Sequence, residues 1–144
     1  MARLWAKTTT FDSVNAGDEL PILVKWETTD TISQFRSLVC GDAEEEPAQP
    51  YSSEPDARAM APQALVAYVF ELLEKGFPVS AIMSGGSSLS LKATGQVKAE
   101  DTISLSGVVT GKHSEGEANR IDCLVTIENQ DNVVVAKAMA RIAL

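Results

Sequence analysis

Histidine is almost missing from this chain: its 144 residues contain one, His113. Chemistry that needs a histidine base therefore has one position to draw on. Cysteine is nearly as scarce. Cys40 and Cys123 stand far apart, without the close spacing of a metal-ligand set, and two reduced, buried thiols are expected rather than a disulfide. Basic residues are outnumbered, with 12 Lys and Arg against 20 Asp and Glu, a formal net charge of −8 and a pI near 4.6. Bulk nucleic-acid binding, which needs clustered Lys and Arg to neutralise phosphates, is excluded, and the acidity favours solubility. Long apolar runs are also lacking. No stretch reaches the ~20 residues that cross a bilayer, and Met1–Thr10 has no signal-peptide core. No internal repeat and no interdomain linker is visible. A cytoplasmic protein with neither a membrane nor a nucleic-acid partner is expected, and residues 1–144 are long enough for one domain with a real core.

The dominant feature present is Met60 to Pro78, MAPQALVAYVFELLEKGFP. Every side chain from Ala64 to Phe70 is apolar or aromatic, and charge returns only at Glu71, Glu74 and Lys75. Pro62 suits a first helical turn, and Gly76 followed by Pro78 suits a stop. A helix apolar nearly all round is expected to be buried nearly all round.

Upstream, residues 1–10 read as a loosely held, flexible arm that Trp5 would dock. Ala16-Gly17-Asp18 is turn chemistry, leading to a short strand over Ile22–Trp26. Thr28 or Thr29 caps a second helix in which Ile32, Phe35 and Leu38 or Val39 recur at helical spacing, ending near Cys40-Gly41. From Asp42 to Asp56 come three prolines, six acidic residues and almost no aliphatic side chain, an exposed loop. Its consecutive acids, Asp42, Glu44, Glu45 and Glu46, lack the alternating spacing of a calcium loop and read as a solvated face, so no metal and no cofactor is expected.

Downstream of Val79 the period changes to two. Ser84-Gly85-Gly86-Ser87-Ser88 has neither the Lys nor the following helix of a phosphate loop and reads as a connector. Alternation then marks strands around Leu89 and Leu91, Ile103 to Val109, Ile121 to Ile127 and Val134 to Ile142, with a tight turn at Asn129–Asn132. Four strands after one buried helix predict an α+β hot-dog fold: an antiparallel sheet wrapped around one long central helix. The small side chains of the last strand suit close approach of that helix. Open strand edges favour a dimer.

With the elements laid out in this order, the chain resembles the MaoC-like hydratase/dehydratase family of hot-dog proteins. Phe11–Pro21 is similar to the family's opening, an aromatic-acidic pair, a Val, then Gly-Asp and a hydrophobic run. Thr28–Phe35, continuing to Gly41-Asp42, resembles its first helix and the Gly-Asp that starts its active-site loop, here 42–59. Gln96–Ile103 matches a Pro-Val-x-x-Gly-Asp-Thr-Leu segment with Gln for Pro and Glu for Gly. Asn129-Gln130 to Leu144 resembles its closing hairpin.

The resemblance implies binding of acyl thioesters, on coenzyme A or an acyl carrier protein, and reversible hydration of a trans-2-enoyl thioester. It implies an Asp and a His in the loop after the first helix, one activating water and the other exchanging a proton at the α-carbon. It also implies a backbone N–H at the start of the central helix that polarises the thioester carbonyl. Asp42 falls on the Asp position. Five residues on stands Pro47 instead of His, with Gln49 the nearest polar residue, and the family's His-Gly at the helix start is replaced by Ala61-Pro62-Gln63. That start, with Tyr51 upstream, is similar to the dehydratase subfamily whose domains or subunits lack the catalytic pair and associate with a second hot-dog copy that carries it.

The candidate site is therefore Asp42 as the catalytic position, with Gln49, Tyr51, Ala61 and Gln63 toward substrate. Asp42 fits a surviving catalytic carboxylate or a turn residue after Gly41. His113 has no acidic or nucleophilic partner in a recognisable pattern. Arg58, Lys92, Lys98 and Lys112 are candidates for coenzyme A phosphates, and Met60, Tyr68 and Phe70 for an acyl tunnel or for plain core. The expected function is the acyl-binding, non-catalytic or half-site subunit of a heteromeric hydratase or dehydratase, as a homodimer or a heterodimer. The alternatives are an autonomous hydratase or thioesterase using Asp42, and a non-enzymatic small-molecule-binding dimer.

Overall fold

The computed structural model describes residues 2–40, 60 and 62–144. Their elements run β1 (Leu23–Trp26), α1 (Thr29–Cys40), α2 (Pro62–Gly76), α3 (Val79–Ile82), β2 (Ser88–Ala93), β3 (Thr102–Glu115), β4 (Ala118–Glu128) and β5 (Val134–Ala143). The strands form one antiparallel sheet in the order β1-β3-β4-β5-β2. Strands β3, β4 and β5 form a meander, and β1 and β2 occupy opposite edges. Alternation makes one face apolar: Ile103, Leu105 and Val109 from β3, Ile121, Cys123, Val125 and Ile127 from β4, and Ala136, Ala138, Ala140 and Ile142 from β5 are all buried. The expected α+β hot-dog architecture is what the chain adopts.

Helix α2 packs on that apolar face through Ala64, Leu65, Val69, Leu72 and Leu73, with Phe77 just beyond its end. Its opposite side is more open than the composition suggests: Ala67 is exposed, and Val66, Tyr68 and Phe70 are half-buried. A single sheet can wrap only part of a helix's circumference, so an all-round apolar helix leaves a strip uncovered in one chain. Helix α2 approaches β3, and the short helix α3 approaches β5. Leu20 fills the gap between α2 and β3, and a Cβ added at either Gly76 or Gly107 would strike its side chain. The short helix α3 has no counterpart in the sequence reading, because Val79–Ile82 is too brief for its period to show.

The N-terminal arm is held by Leu4 rather than by Trp5. Leu4 is 5% exposed and Trp5 55%. The backbone N–H of Leu4 donates to the Glu19 carbonyl (2.8 Å), that of Glu19 to the Ala2 carbonyl (3.0 Å), and that of Ala6 to the Lys75 carbonyl at the end of α2 (2.9 Å). Asp18, of the Gly17-Asp18 turn, is buried and accepts from the backbone N–H groups of Asn15 (2.8 Å) and Ala2 (3.2 Å). Asp101 and Gln130 bind each other across the sheet end: Gln130 Nε2 donates to Asp101 Oδ1 (2.9 Å), and Gln130 Oε1 accepts from the Thr102 N–H (3.0 Å). Residues from three of the stretches that carry the family resemblance thus serve as turn and strand-end fastenings.

Candidate functional site

Of the residues singled out from the sequence, Asp42, Gln49, Tyr51 and Ala61 lie outside the described residues, as does Arg58. Gln63 is described and exposed, in the first turn of α2. Just ahead of that turn Met60 is buried, and its N–H donates to the Val97 carbonyl (2.7 Å). This fixes where the chain enters α2. A pocket of about 70 Å³ lies near the other end of that helix, lined by Phe70, Leu73, Ile82, Leu89, Ile142, Ser87 and Ser88 beside edge strand β2.

A polar cluster on the helical side of the sheet centres on Glu27, which sequence reasoning missed. Leu23, Lys25 and Glu27 share the inward face of the β1 segment by simple alternation. Glu27 is 1% exposed. Its backbone is pinned on both sides, its N–H donating to the Asp101 carbonyl (2.8 Å) and its carbonyl accepting from the Glu100 N–H (2.6 Å). Immediately after it, Thr28 and Thr31 cap α1 reciprocally: Thr31 N–H donates to Thr28 Oγ1 (3.1 Å) and Thr28 N–H to Thr31 Oγ1 (2.9 Å). The Thr31 hydroxyl lies 3.0 Å from Glu27 Oε2 and 2.9 Å from the Thr28 carbonyl, and its one proton serves one of them at a time. Glu27 Oε1 is buried with no hydrogen-bond partner among the described residues.

Tyr68 of α2 stands beside this carboxylate. Burial first, then the neighbouring carboxylates of Glu27 and Glu71, push its phenol well above its ordinary pKa, so it stays protonated at neutral pH. Lys25 Nζ lies 5.2 Å from the Tyr68 ring centroid and pairs with Glu71 at 2.9 Å. Glu27, Thr31, Tyr68, Lys25 and Glu71 thus join β1, α1 and α2 at one junction. The available signal was the period-2 placement of Glu27 on the same face as Leu23, which puts a carboxylate where an apolar side chain belongs.

His113 proves to have an acidic partner after all. It lies in β3 on the outer face of the sheet, and its Nε2 is 2.8 Å from Asp122 Oδ2 of β4. Arg141 of β5 completes the row, its Nε donating to Asp122 Oδ1 (2.9 Å). The arginine's hydrogen bonds hold the Asp122 carboxyl below the usual carboxylate range, aided by His113. The alternation that buries Ile121 and Cys123 points Asp122 the other way, so this cluster and α2 occupy opposite faces. Lys112 is spent on structure, donating to the carbonyls of Phe11 (2.8 Å) and Val14 (2.9 Å), while Lys92 and Lys98 are exposed. Cys123 is buried and free, and burial pushes its thiol up to about 12.

Neither a protein-family model nor a curated protein sequence matches this chain. Solved structures do. The MaoC-like dehydratase from Rhodospirillum rubrum superposes with a TM-score of 0.69 at 16% identity, covering 92% of this chain and 94% of that one. The (R)-hydratase of A. caviae involved in PHA biosynthesis gives 0.67 at 17%, covering 92% and 98%. The chain has the hot-dog fold of the MaoC-like dehydratases and (R)-hydratases. A third similar structure, the C-terminally truncated HadBC complex of Mycobacterium tuberculosis, a 3R-hydroxyacyl-ACP dehydratase, gives 0.65 at 12%, covering 92% and 98%. The MaoC-like fold therefore spans nearly the whole chain. Among the described residues no helix is long and apolar enough to cross a membrane.

Proposed function

We propose that this chain is an acyl-thioester-binding hot-dog protein of the cytoplasm, the non-catalytic or half-site subunit of an enoyl-thioester hydratase or 3-hydroxyacyl dehydratase. Its fold supports the ligand class, since it is shared with a hydratase and with dehydratases, one of them a complex named for two components. The observation that carries the half-site reading is the position of the single histidine. His113 is engaged with Asp122 on the outer face of the sheet, away from the start of α2. The chain has no second histidine to act as the base that the family resemblance expects in the loop 42–59.

In this reading the thioester carbonyl meets the N-terminal turn of α2, where unpaired backbone N–H groups and the helix dipole favour developing negative charge. Ala61 and Gln63 stand at that position in the sequence, and Asp42, Gln49 and Tyr51 are the further residues the family resemblance points to. A second hot-dog chain docks against the open strip of α2, Val66, Ala67 and Phe70, and supplies the Asp-His pair. Mixing the chain with a hot-dog partner that carries an intact Asp and His tests this reading. A stable complex that hydrates an enoyl thioester faster than the partner alone supports it. Absence of any complex with such partners, at concentrations where the chain itself stays folded, counts against it.

A further inference from the structure

Three large apolar side chains stand exposed on β1 and the residue before it. Ile22, Val24 and Trp26 are 60%, 57% and 62% exposed, and alternation puts them on the outer face of the sheet, opposite to Leu23, Lys25 and Glu27. Lys25 faces the helical side, where it pairs with Glu71, so these positions carry no charge on the outer face. Strand β1 is also an edge, at the end of the sheet away from β2. Its bonds to β3 run through alternate residues. The Glu27 backbone N–H donates to the Asp101 carbonyl and its carbonyl accepts from the Glu100 N–H. Lys25 and Leu23 share that orientation, which turns the N–H and C=O groups of Val24 and Trp26 toward the open edge. From Ile22 to Trp26 the outer side presents no charge, proline or bulge of the kind that blunts an edge.

The open stretch is short. Upstream the arm closes the edge, where Arg3 bridges to Glu19, and downstream α1 begins at Thr29. A partner strand therefore has Ile22–Trp26 and little more to pair with. A second copy brings a strand of that length with the matching pattern. In an antiparallel pair centred on Val24, Val24 meets its own counterpart and Trp26 meets Ile22 of the other copy, while Lys25 stands opposite Leu23 on the helical side. No like charges lie directly opposite at this register.

We infer that two copies of this chain associate edge to edge through β1, with Ile22, Val24 and Trp26 forming an apolar seam on the outer face. The three side chains leave roughly 300–400 Å² per copy to bury, well under a standard interface of about 1,600 Å² in total, so the association is weak and concentration-dependent. A net charge of −8 on each copy opposes it, and added salt strengthens it by screening. The contact leaves the open strip of α2 untouched and does not depend on the acyl-thioester reading.

Sedimentation over a concentration series tests it, read alongside the emission of Trp26 in a Trp5→Phe background, since Trp5 and Trp26 are the chain's two tryptophans. The apparent mass rises toward twice its value at high dilution, and the Trp26 emission shifts to the blue over the same range. Val24→Pro removes an N–H that faces the open edge and no hydrogen bond to β3, so the chain folds and the midpoint moves about tenfold higher or more. Val24→Thr, which keeps a good strand former, moves it the same way by a smaller factor and serves where proline disturbs the fold. A rise in mass that neither variant moves, or that leaves the Trp26 emission unshifted, overturns the inference. So does a mass that stays constant up to about 1 mM, which leaves the stripe to a partner of different sequence.

Discussion

Glu27 and Asp122 are both carboxylates in cross-element polar clusters, and they are finished to different degrees. Asp122 sits on the outer face of the sheet with both oxygens engaged, Oδ1 by Arg141 and Oδ2 by His113. Glu27 sits inside, at the junction of β1, α1 and α2, with one oxygen sharing a hydroxyl proton and the other without a partner among the described residues. The outer cluster is complete as the chain folds and reads as sheet stabilisation. The inner one leaves a buried oxygen without a partner among the described residues, at the place where that costs most.

If that contrast is right, the two carboxylates respond differently to substitution. Glu27→Ala has the largest expected effect, a loss of about 2 kcal/mol in urea unfolding, because the Thr31 hydroxyl loses an acceptor and a fully buried side chain is removed from the junction. Asp122→Asn costs less, roughly 0.5–1 kcal/mol at neutral pH, since its partners remain solvated. A reversed order would erase the distinction. The Asp122 effect also has a pH signature. Its folded carboxyl lies below its ordinary value of 3.8, so the stabilisation is fully present above the unfolded value and is lost as pH falls through the folded one. Wild type and Asp122→Asn should therefore differ by a constant amount above about pH 5 and converge in acid. Lys25→Met is the smallest change, about 0.5 kcal/mol or less, because the Lys25–Glu71 pair is well exposed to solvent screening. Thiol labelling gives an independent check on the core. In a Cys40→Ser background, Cys123 should stay unreactive at pH 8 until the chain unfolds, given a thiol pushed up to about 12.

Much of the fold was legible in particular residues. Val66 to Phe70 and the alternation from Ile121 to Ile127 were strong enough to name the central helix and the sheet, and Thr28 marked the start of α1. What stayed hidden had physical reasons. Leu4 rather than Trp5 holds the arm because its place is set by backbone hydrogen bonds to Glu19 and Lys75, distant in sequence, which no local pattern reports. The partner of His113 stands nine residues away across a hairpin, so register rather than spacing brings them together. Of the candidate site, only Gln63 falls within the described residues, and Glu27 escaped notice because one acidic residue after a four-residue strand carries no period of its own. The four stretches resembling MaoC-like proteins were readable, but Asp18, Asp101 and Gln130 in them report the scaffold's turns rather than its chemistry.

The most direct measurement is to add a trans-2-enoyl-CoA to the purified chain alone and follow both binding and loss of the conjugated thioester, with Asp42→Asn in parallel. A half-site acyl-binding subunit binds the thioester and leaves its double bond intact, in the wild type and the variant alike. Hydration by the chain alone that disappears in Asp42→Asn would contradict that reading and show that another group has taken over the work of the missing histidine.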